Sequence, residues 1–315
     1  LTLGKDVATK IEIETDVTPI PTSGHQKLND SGHVWAVLDG TTLRIQTSSP
    51  KIIGHNSFGT DGLFINYSKV TSIAGLENVD FSEVTDMNSM FSGCKELTSL
   101  DLSSINTSKV VDMNKMFLQC LKLSNLNLSG SFNTSKVTNM SVMFGQCETL
   151  ESLDLSNFNT SEVTNMASMF VLCSKLENLD LSNFNTSKVT VMNNLFRGCS
   201  ELKSINLTSF NTSEVTTMNS MFYNCNALTS LNLSNFNTSK VTDMYWMFNG
   251  CTKLTSLNLL GSFNTTKVTN MTQMFDSCKK LTSLDLSNFN TTEATNINMY
   301  LMFNSCEKLS SLTLS

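Results

Sequence analysis

Nine cysteines are the residues of this chain best suited to chemistry, because thiolates bind zinc and pair as disulfides. Consecutive cysteines lie 26 to 28 residues apart, and the three histidines, His25, His33 and His55, are far from most of them in sequence. A zinc site favours clustered ligands. Stacked cysteines can approach disulfide distance, but an odd number does not make a complete framework. We therefore predict free thiols buried in a core, with no metal, cofactor or catalytic group. The nine positions are Cys94, Cys120, Cys147, Cys173, Cys199, Cys225, Cys251, Cys278 and Cys306.

The cysteine spacing reflects an internal repeat, since the sequence around each cysteine recurs with it. A period of this length is typical of solenoids, in which each repeat packs against its neighbours. The predicted fold class is an α/β-type repeat solenoid of the leucine-rich-repeat kind, with ~26-residue repeats that contain short strands and short helical or 3₁₀ turns.

One repeat, LTSLNLSNFNTSKVTDMYWMFNGC at 228–251, shows the expected coil. Leu231 and Leu233 alternate with polar residues, as in a short strand with one buried side. The segment NFNTS predicts a corner around a buried Phe236, because Asn, Thr and Ser bond nearby backbone groups. A second extended piece follows. Apolar residues then recur at spacings of three or four, which predicts one face of a short helix or 3₁₀ turn. These residues are Met244, Met247, Phe248, Cys251 and Leu254.

Several positions form columns through the array, and we predict that the apolar columns are its core. One column contains Phe91, Phe117, Phe144, Phe170, Phe196, Phe222, Phe248, Phe275 and Phe303. Another contains Leu102, Leu128, Leu155, Leu181, Leu207, Leu233, Leu259, Leu286 and Leu314. A third contains the corner residues Asn106, Asn133, Asn159, Asn185, Asn211, Asn237, Asn264 and Asn290, whose amides we expect to be buried in a hydrogen-bonded ladder. A charged column is expected to place Glu162 between Lys136 and Lys188, and Glu214 between Lys188 and Lys240.

The N-terminal part has a different pattern. VWAVLDGTTLRIQ at 34–46 alternates apolar and polar residues around Asp39-Gly40, which predicts a β-hairpin. A short strand is expected at 10–15, and a loop around Pro19, Pro21 and Gly24. We predict two domains: an N-terminal β-hairpin capping region at 1–69, and a leucine-rich-repeat solenoid at 70–315 with a degenerate first repeat and nine cysteine-bearing coils.

Charge and hydropathy argue against two classes of protein, those that bind nucleic acid and those that span a membrane. With 21 basic and 27 acidic residues, the net charge is −6, and the charges are scattered. The basic footprint of a nucleic-acid-binding protein is therefore missing. No segment has the ~18 consecutive apolar residues that span a bilayer. The chain does not begin with Met and ends just after a strand-like SSLTLS, so we expect a trimmed part of a longer protein.

The repeats differ most inside the segment M-x-x-M-F-x-x-C. Most coils place small polar residues there, but Tyr223, Tyr245 and Trp246 come from two adjacent coils, with Arg197 in the coil before them. Tyr, Trp and Arg are enriched at binding hot spots. We predict that these four residues form a partner-binding patch; the alternative is that they pack only on each other. The strand face, with an Asp or Asn in eight of the nine repeats, is an alternative surface for a glycan, or is simply solvated.

LTSLDLSNFNTSKVT followed by M-x-x-M-F-x-x-C resembles the BspA-like leucine-rich-repeat surface proteins of bacteria, over about residues 70 to 315. The resemblance implies a solenoid displayed outside the cell, at the bacterial surface, that adheres to host proteins or to other cells. The expected partner is a surface protein or glycan of a host or neighbouring cell, with neither nucleic acid nor a membrane span involved.

The sequence therefore predicts a non-enzymatic extracellular module for adhesion or protein–protein interaction. One alternative is a structural stalk that displays another domain. A further alternative is a flat, repetitive face that binds a glycan or a crystalline ligand such as ice, through a threonine column. That column contains Thr138, Thr164, Thr190, Thr216, Thr242 and Thr269.

Overall fold

In a computed structural model of the chain, which describes residues 3–18, 26–28, 34–54, 63–290 and 297–314, the cysteine-bearing repeats stack as nine coils of a β-solenoid. We number the coils 1 to 9 by their cysteines, from Cys94 to Cys306. From one cysteine to the next, the chain passes through a short strand, a corner, a bridge residue and two tight turns.

Eight of the nine coils in the described part of the chain carry a short strand after the cysteine. These strands are β8 Ser99–Asp101, β9 Asn125–Asn127, β10 Asn178–Asp180, β11 Ser204–Asn206, β12 Ser230–Asn232, β13 Ser256–Asn258, β14 Ser283–Leu286 and β15 Ser311–Leu314. They pair in parallel two by two, β8 with β9, β10 with β11, β12 with β13 and β14 with β15. A second column is continuous: one residue per coil bridges to its equivalent in the next, from Asp86 and Asp112 to Asn298. This bridge column and the turns, more than the strands, connect the coils along the whole array.

Seven short strands precede coil 1: β1 Lys10–Glu14, β2 Gln26–Lys27, β3 Val34–Asp39, β4 Thr42–Thr47, β5 Ile52–Ile53, β6 Ser72–Ala74 and β7 Val79–Asp80. The predicted hairpin is present, because β3 pairs antiparallel with β4 across a turn in which Gly40 has a φ of 60°. β1 pairs in parallel with β4 on one side and with β6 on the other, which joins the hairpin sheet to the first repeat. That this sheet caps the array stays a prediction, and the loop expected around Pro19, Pro21 and Gly24 lies outside the described residues.

The short helical turns predicted for each coil are not formed. Within the described ranges there is no α-helix, and the 3₁₀ helix Leu76–Asn78 lies before coil 1. The Met-x-x-Met segment is instead a tight turn, closed in coil 4 by the Met169 N–H donating to the Met166 carbonyl at 3.2 Å. Its third residue, Ser168, has a φ of 58°, which a right-handed helix does not accommodate.

A second tight turn follows, closed by the Cys173 N–H donating to the Phe170 carbonyl at 3.2 Å. Alternate N–H groups point to the next coil, and the Phe170 N–H donates to the Leu195 carbonyl at 3.0 Å. These backbone N–H groups therefore form hydrogen bonds between coils, where in a helix they would bond within the same segment. The apolar residues predicted to share one face are nonetheless all fully buried, and they are Met244, Met247, Phe248, Cys251 and Leu254.

The predicted phenylalanine column is the centre of the core. Its rings lie 5.5 to 5.8 Å apart between successive coils, with nearly parallel planes. The leucine column is also buried, except in coil 9, where Leu314 is 66% exposed and Phe303 is half-buried. Burial therefore comes from the following coil as well as from the residue type.

The corner ladder is built differently from the prediction. The Asn185 side chain is exposed, and its Oδ1 accepts a hydrogen bond from the Ser187 N–H at 3.1 Å. The buried ladder residue is the threonine that follows each of these asparagines, such as Thr160 in coil 3. Its hydroxyl donates to the Asn185 carbonyl of coil 4 at 3.0 Å and accepts from the Asn185 N–H at 2.8 Å. A small hydroxyl that both donates and accepts fits this tight site better than an amide.

The asparagine before the corner phenylalanine supplies the amide bonds. In coil 4, Asn183 Nδ2 donates to the carbonyls of Leu155 and Phe158 in coil 3, both at 2.9 Å. Asn235 repeats the arrangement on coil 5. The two asparagines of NFN thus have separate roles: the first bonds the preceding coil and the second forms the local turn.

The predicted charge ladder is present in part, because in the described structure Glu162 and Glu214 each pair with one of their two predicted lysines. Glu162 pairs with Lys188 at 2.7 Å, and Glu214 with Lys240 at 2.6 Å. A second ladder, which includes Glu177 with Lys203, was missed. All these groups are well exposed, so each pair contributes only about 0 to 1 kcal/mol.

Candidate functional site

The segment M-x-x-M-F-x-x-C displays four variable side chains in each coil, two between the methionines and two between the phenylalanine and the cysteine. We call the surface formed by these side chains the turn face. In coils 1 to 8 the methionines (Leu195 replaces one in coil 5), the phenylalanine and the cysteine are buried, so they fix the turn. Most of the remaining residues are at least partly exposed. Because the turns stack by regular backbone hydrogen bonds, equivalent turn-face residues of successive coils are neighbours.

Coils 5 to 7 bring the four predicted site residues together. The ring of Trp246 stacks on Tyr245 with centroids 4.4 Å apart and on Tyr223 of the preceding coil at 5.0 Å. The guanidinium carbon of Arg197 lies 5.1 Å from the centroid of the Tyr223 ring, within cation–π distance. The four side chains form one continuous stack, and its role in binding a partner stays a prediction.

All four side chains of this stack are half-buried, so they are neither fully exposed nor packed only on each other. They pack on each other, but they also keep surface for a partner. Partial burial raises the pKa of the Tyr245 phenol, with a smaller contribution from Tyr223, so the Tyr245 hydroxyl is a neutral donor at physiological pH.

A polar network borders the stack on its C-terminal side. Trp246 Nε1 donates to Gln273 Oε1 at 2.9 Å, and Gln273 Nε2 donates to the buried Asp276 carboxylate at 2.8 Å. Asn304 Nδ2 donates to the other oxygen of that carboxylate at 2.9 Å. This network orients the indole ring and limits its rotation, which lowers the entropy cost of binding through it.

The strand face has a depression of about 330 Å³ between β11 and β12, which are not paired with each other in the described structure. It is lined by polar side chains, among them Lys203, Asn206, Asn232 and Asn235. Lys203 already pairs with Glu177, and aromatic side chains are missing from this described lining. Of the two faces, the turn face has the stronger hot-spot chemistry.

Three overlapping stretches of the chain, residues 60–153, 143–232 and 228–313, match the family described as "Mycoplasma protein of unknown function, DUF285". Together they span most of the chain and nearly all of the solenoid. The chain belongs to the DUF285 family. The resemblance to BspA-like leucine-rich-repeat proteins is thereby confirmed.

Two solved structures are similar to this DUF285 chain. One is a leucine-rich repeat protein from Bacteroides ovatus, with 17% identity and a TM-score of 0.36, where the match covers 84% of this chain and 57% of the other. The second is the TLR13–ssRNA13 complex, with 18% identity, a TM-score of 0.31, and coverage of 85% and 39%. The chain thus spans less than two thirds of either protein. No curated protein matches the sequence, and the description of the family that does match names no catalytic activity.

The cysteines of this DUF285 chain are free thiols, as predicted, and eight of the nine are fully buried. Each thiol donates to the carbonyl of a phenylalanine in the preceding repeat, for example Cys173 to Phe144 at 3.1 Å. Burial raises the pKa of the Cys173 and Cys251 thiols to about 12. Among the described residues, no group of three or more His, Cys, Asp or Glu is arranged to hold a metal ion. The thiols therefore belong to the packing of the core.

Other turn-face residues were missed or left unassigned from sequence. Gln273, Asp276 and Asn304 belong to the site through hydrogen bonds that no spacing reveals. Val142 and Leu172 were identifiable, because apolar residues replace the Ser, Asn or Gly of other coils there. No described helix is long and apolar enough to cross a bilayer.

Proposed function

We propose that this chain is a non-enzymatic, extracellular leucine-rich-repeat module for adhesion or protein–protein interaction at a bacterial cell surface. Arg197, Tyr223, Tyr245 and Trp246 are its contact residues. The observation that carries the proposal is the continuous Arg–Tyr–Trp–Tyr stack on a solenoid whose other turns display mostly small polar residues.

The stack has the physical properties of a binding hot spot. Large aromatic side chains with few rotatable bonds lose little entropy on binding. Their mutual stacking and the Trp246–Gln273 hydrogen bond hold them in place before a partner arrives. In the described structure, Arg197 has no ion-pair partner, so its guanidinium remains available for an acceptor.

The proposed location follows from the family. BspA-like relatives are typically surface proteins, and a chain of this kind displays a long, rigid array away from the cell. In the same proposal, residues 1–69 form a cap over the first repeat and 70–315 form the array. The pairing of β1 with β6 supports this division, since it extends the strands of the solenoid into the hairpin sheet.

An adhesion experiment tests the function. The purified chain and a Tyr223→Ala/Tyr245→Ala/Trp246→Ala variant are applied to host-cell monolayers and to immobilised matrix proteins. We expect binding by the wild type and at least a tenfold loss in the variant, about 1.4 kcal/mol. A Glu162→Gln variant, changed on an exposed ladder, serves as the control. Equal binding by all three proteins contradicts the contact site, and binding by none favours the stalk.

The ice-binding alternative is tested separately, and one observation weakens it. The threonine column is largely exposed, but each hydroxyl donates to the carbonyl of the equivalent residue one coil earlier, as Thr190 does to Thr164 at 3.3 Å. Those protons are then not directed at a ligand. Thermal hysteresis equal to that of a buffer blank would remove this alternative.

A further inference from the structure

The turn face continues beyond the aromatic stack as an apolar surface on coils 2 to 4. Side-chain carbons of Leu118, Val142 and Val171 converge on Gly145, at 3.2, 2.7 and 3.2 Å from the position that a Cβ there would occupy. A side chain larger than that of glycine would not fit without a shift. The three side chains therefore cover Gly145 and form one apolar cluster across coils 2 to 4.

Leu172 extends the apolar surface towards the aromatic stack. It is 41% exposed, and its Cδ2 lies 2.5 Å from the position that a Cβ on Gly198 of the next coil would take. Apolar side chains therefore run from coil 2 to coil 4, and Arg197 and the aromatic rings continue the surface to coil 7.

Three of these residues occupy a backbone conformation that their side chains disfavour. Val142, Leu172 and Trp246 have φ angles of 58°, 59° and 58°. Asn and Gly tolerate this left-handed region, and equivalent positions in other coils hold Asn194 and Gly250. Folding stability alone would favour Asn or Gly at all three places. Strain of this kind, at half-exposed side chains, indicates selection for something other than folding.

The charge of the turn face is opposite to that of the whole protein. The chain has a net charge of −6, yet none of the turn-face residues of coils 1 to 7 is acidic, while Lys115 and Arg197 are basic. The carboxylates of Asp112 and Asp243, at the adjoining bridge position, accept hydrogen bonds from the turn backbone. Glu148 lies outside the face, beyond the cysteine.

Lys115 and Arg197 stand at the two ends of the apolar surface. They are three coils apart, which at ~4.8 Å per coil is roughly 15 Å. Neither has an ion-pair partner in the described part of the chain. A partner that fits this surface carries apolar side chains flanked by carboxylates, which would pair with these two cations.

We propose that the turn face of coils 2 to 7 binds an acidic segment of another protein, whose aliphatic or aromatic side chains sit on Leu118, Val142, Val171 and Leu172. This inference rests on the proposed function and deepens it by naming the chemistry of the partner. It also adds residues outside the aromatic stack, so the two can be tested apart.

The key variant is Val142→Asn/Leu172→Asn, which leaves the aromatic stack unchanged and gives each position a residue suited to positive φ. Its matched control is Val111→Thr/Leu260→Ser, which changes two residues of 41% exposure that lie outside the turn face. Both control changes restore residue types found at these places in other coils. Thermal unfolding should show the key variant as stable as the wild type, or more so.

Binding is measured with a displayed library of random peptides of about twelve residues, which when extended exceed the roughly 24 Å from coil 2 to coil 7. Selection on the immobilised full chain should enrich peptides in which Asp or Glu flank Leu, Ile or Phe. An enriched peptide, measured by fluorescence polarisation, should bind the key variant about tenfold more weakly and the control unchanged. Added salt should weaken binding to the wild type.

Several outcomes overturn the inference: no enrichment, enrichment of neutral or basic peptides, equal affinity for the key variant, or a lower melting temperature in that variant. A wild-type dimer that the key variant dissociates would assign the face to a second copy instead. Retention of acidic glycans but not peptides would assign it to a saccharide. If adhesion depends on the aromatic stack but not on Val142 and Leu172, the proposed function stands and this inference fails.

Discussion

Thr160 and Asn185 form a reciprocal pair between coils 3 and 4. The threonine hydroxyl donates to the Asn185 carbonyl at 3.0 Å and accepts from the Asn185 N–H at 2.8 Å. One buried hydroxyl therefore satisfies two backbone groups of the next coil, at a corner that β-sheet pairing does not reach. The arrangement recurs from coil to coil, with Thr186 and Asn211 as the next pair.

Replacing Thr160 by valine should lower the free energy of unfolding by about 1 to 3 kcal/mol, because the change leaves both Asn185 backbone groups without their partner. Valine has nearly the same shape, so packing is kept. Urea unfolding followed by circular dichroism measures the effect. Thr164→Val is the control, since Val111 already occupies that exposed column. Equal losses in the two variants would contradict the role of the hydroxyl.

The stability lost when a phenylalanine of the column is replaced should depend on the position of its coil in the array. Phe170→Ala, in coil 4, should cost about 3 to 5 kcal/mol, because the ring is enclosed by the rings of both neighbouring coils. Phe303→Ala, in coil 9, should cost clearly less, since that ring is half-buried and stacks in the described structure on Phe275 alone. Equilibrium urea unfolding of both variants gives the comparison. A larger loss for Phe303→Ala would contradict it.

The thiols should resist alkylation until the chain unfolds. Iodoacetamide reacts with the thiolate, and burial raises the pKa of Cys173 to about 12, against about 11 for the half-buried Cys306. At neutral to mildly alkaline pH, mass spectrometry should find Cys306 modified first and slowly, and the other thiols protected. In denaturant all nine should react at similar rates. Early modification of Cys173 in the native protein would show that the core opens locally.

The same pKa shifts predict loss of stability in alkali. A thiol titrates at about 8.5 when unfolded, and burial raises the pKa of the Cys94 and Cys251 thiols to about 12. Only the neutral form is accommodated in the core, so its contribution is fully present below about pH 8.5 and is lost as the pH rises towards about 12. Urea midpoints measured from about pH 7 to about pH 11 should therefore fall. A constant or rising midpoint would contradict this.

The repeat made much of the fold predictable, because the same residue types recur at each position and their average burial is unambiguous. The columns of Phe170 and Leu181, the hairpin at Gly40 and the Glu162–Lys188 pair were all predicted from pattern. Single-coil details were not. A helix and two successive tight turns both place apolar residues at spacings of three or four. The segment from Met244 to Cys251 forms the two turns.

The corner shows the same limit. NFNTS contains two amides and two hydroxyls, any of which has the chemistry to form a buried ladder. The structure assigns the ladder to Thr160 and the inter-coil amide bonds to Asn183, because only these groups point at the preceding or following coil. Which of these polar side chains forms the ladder depends on where it points, and the packing of the coils sets that direction.

The candidate site divides in a similar way. The sequence by itself determined that Arg197, Tyr223, Tyr245 and Trp246 depart from the repeat, and the constant period required them to be neighbours. The tertiary structure decided that the rings stack, that Gln273 fixes the indole, and that Val142 and Leu172 extend the surface at strained φ angles. The physical reason is that periodicity specifies which residues meet across coils, whereas backbone dihedral angles and side-chain directions arise only once the coils have packed.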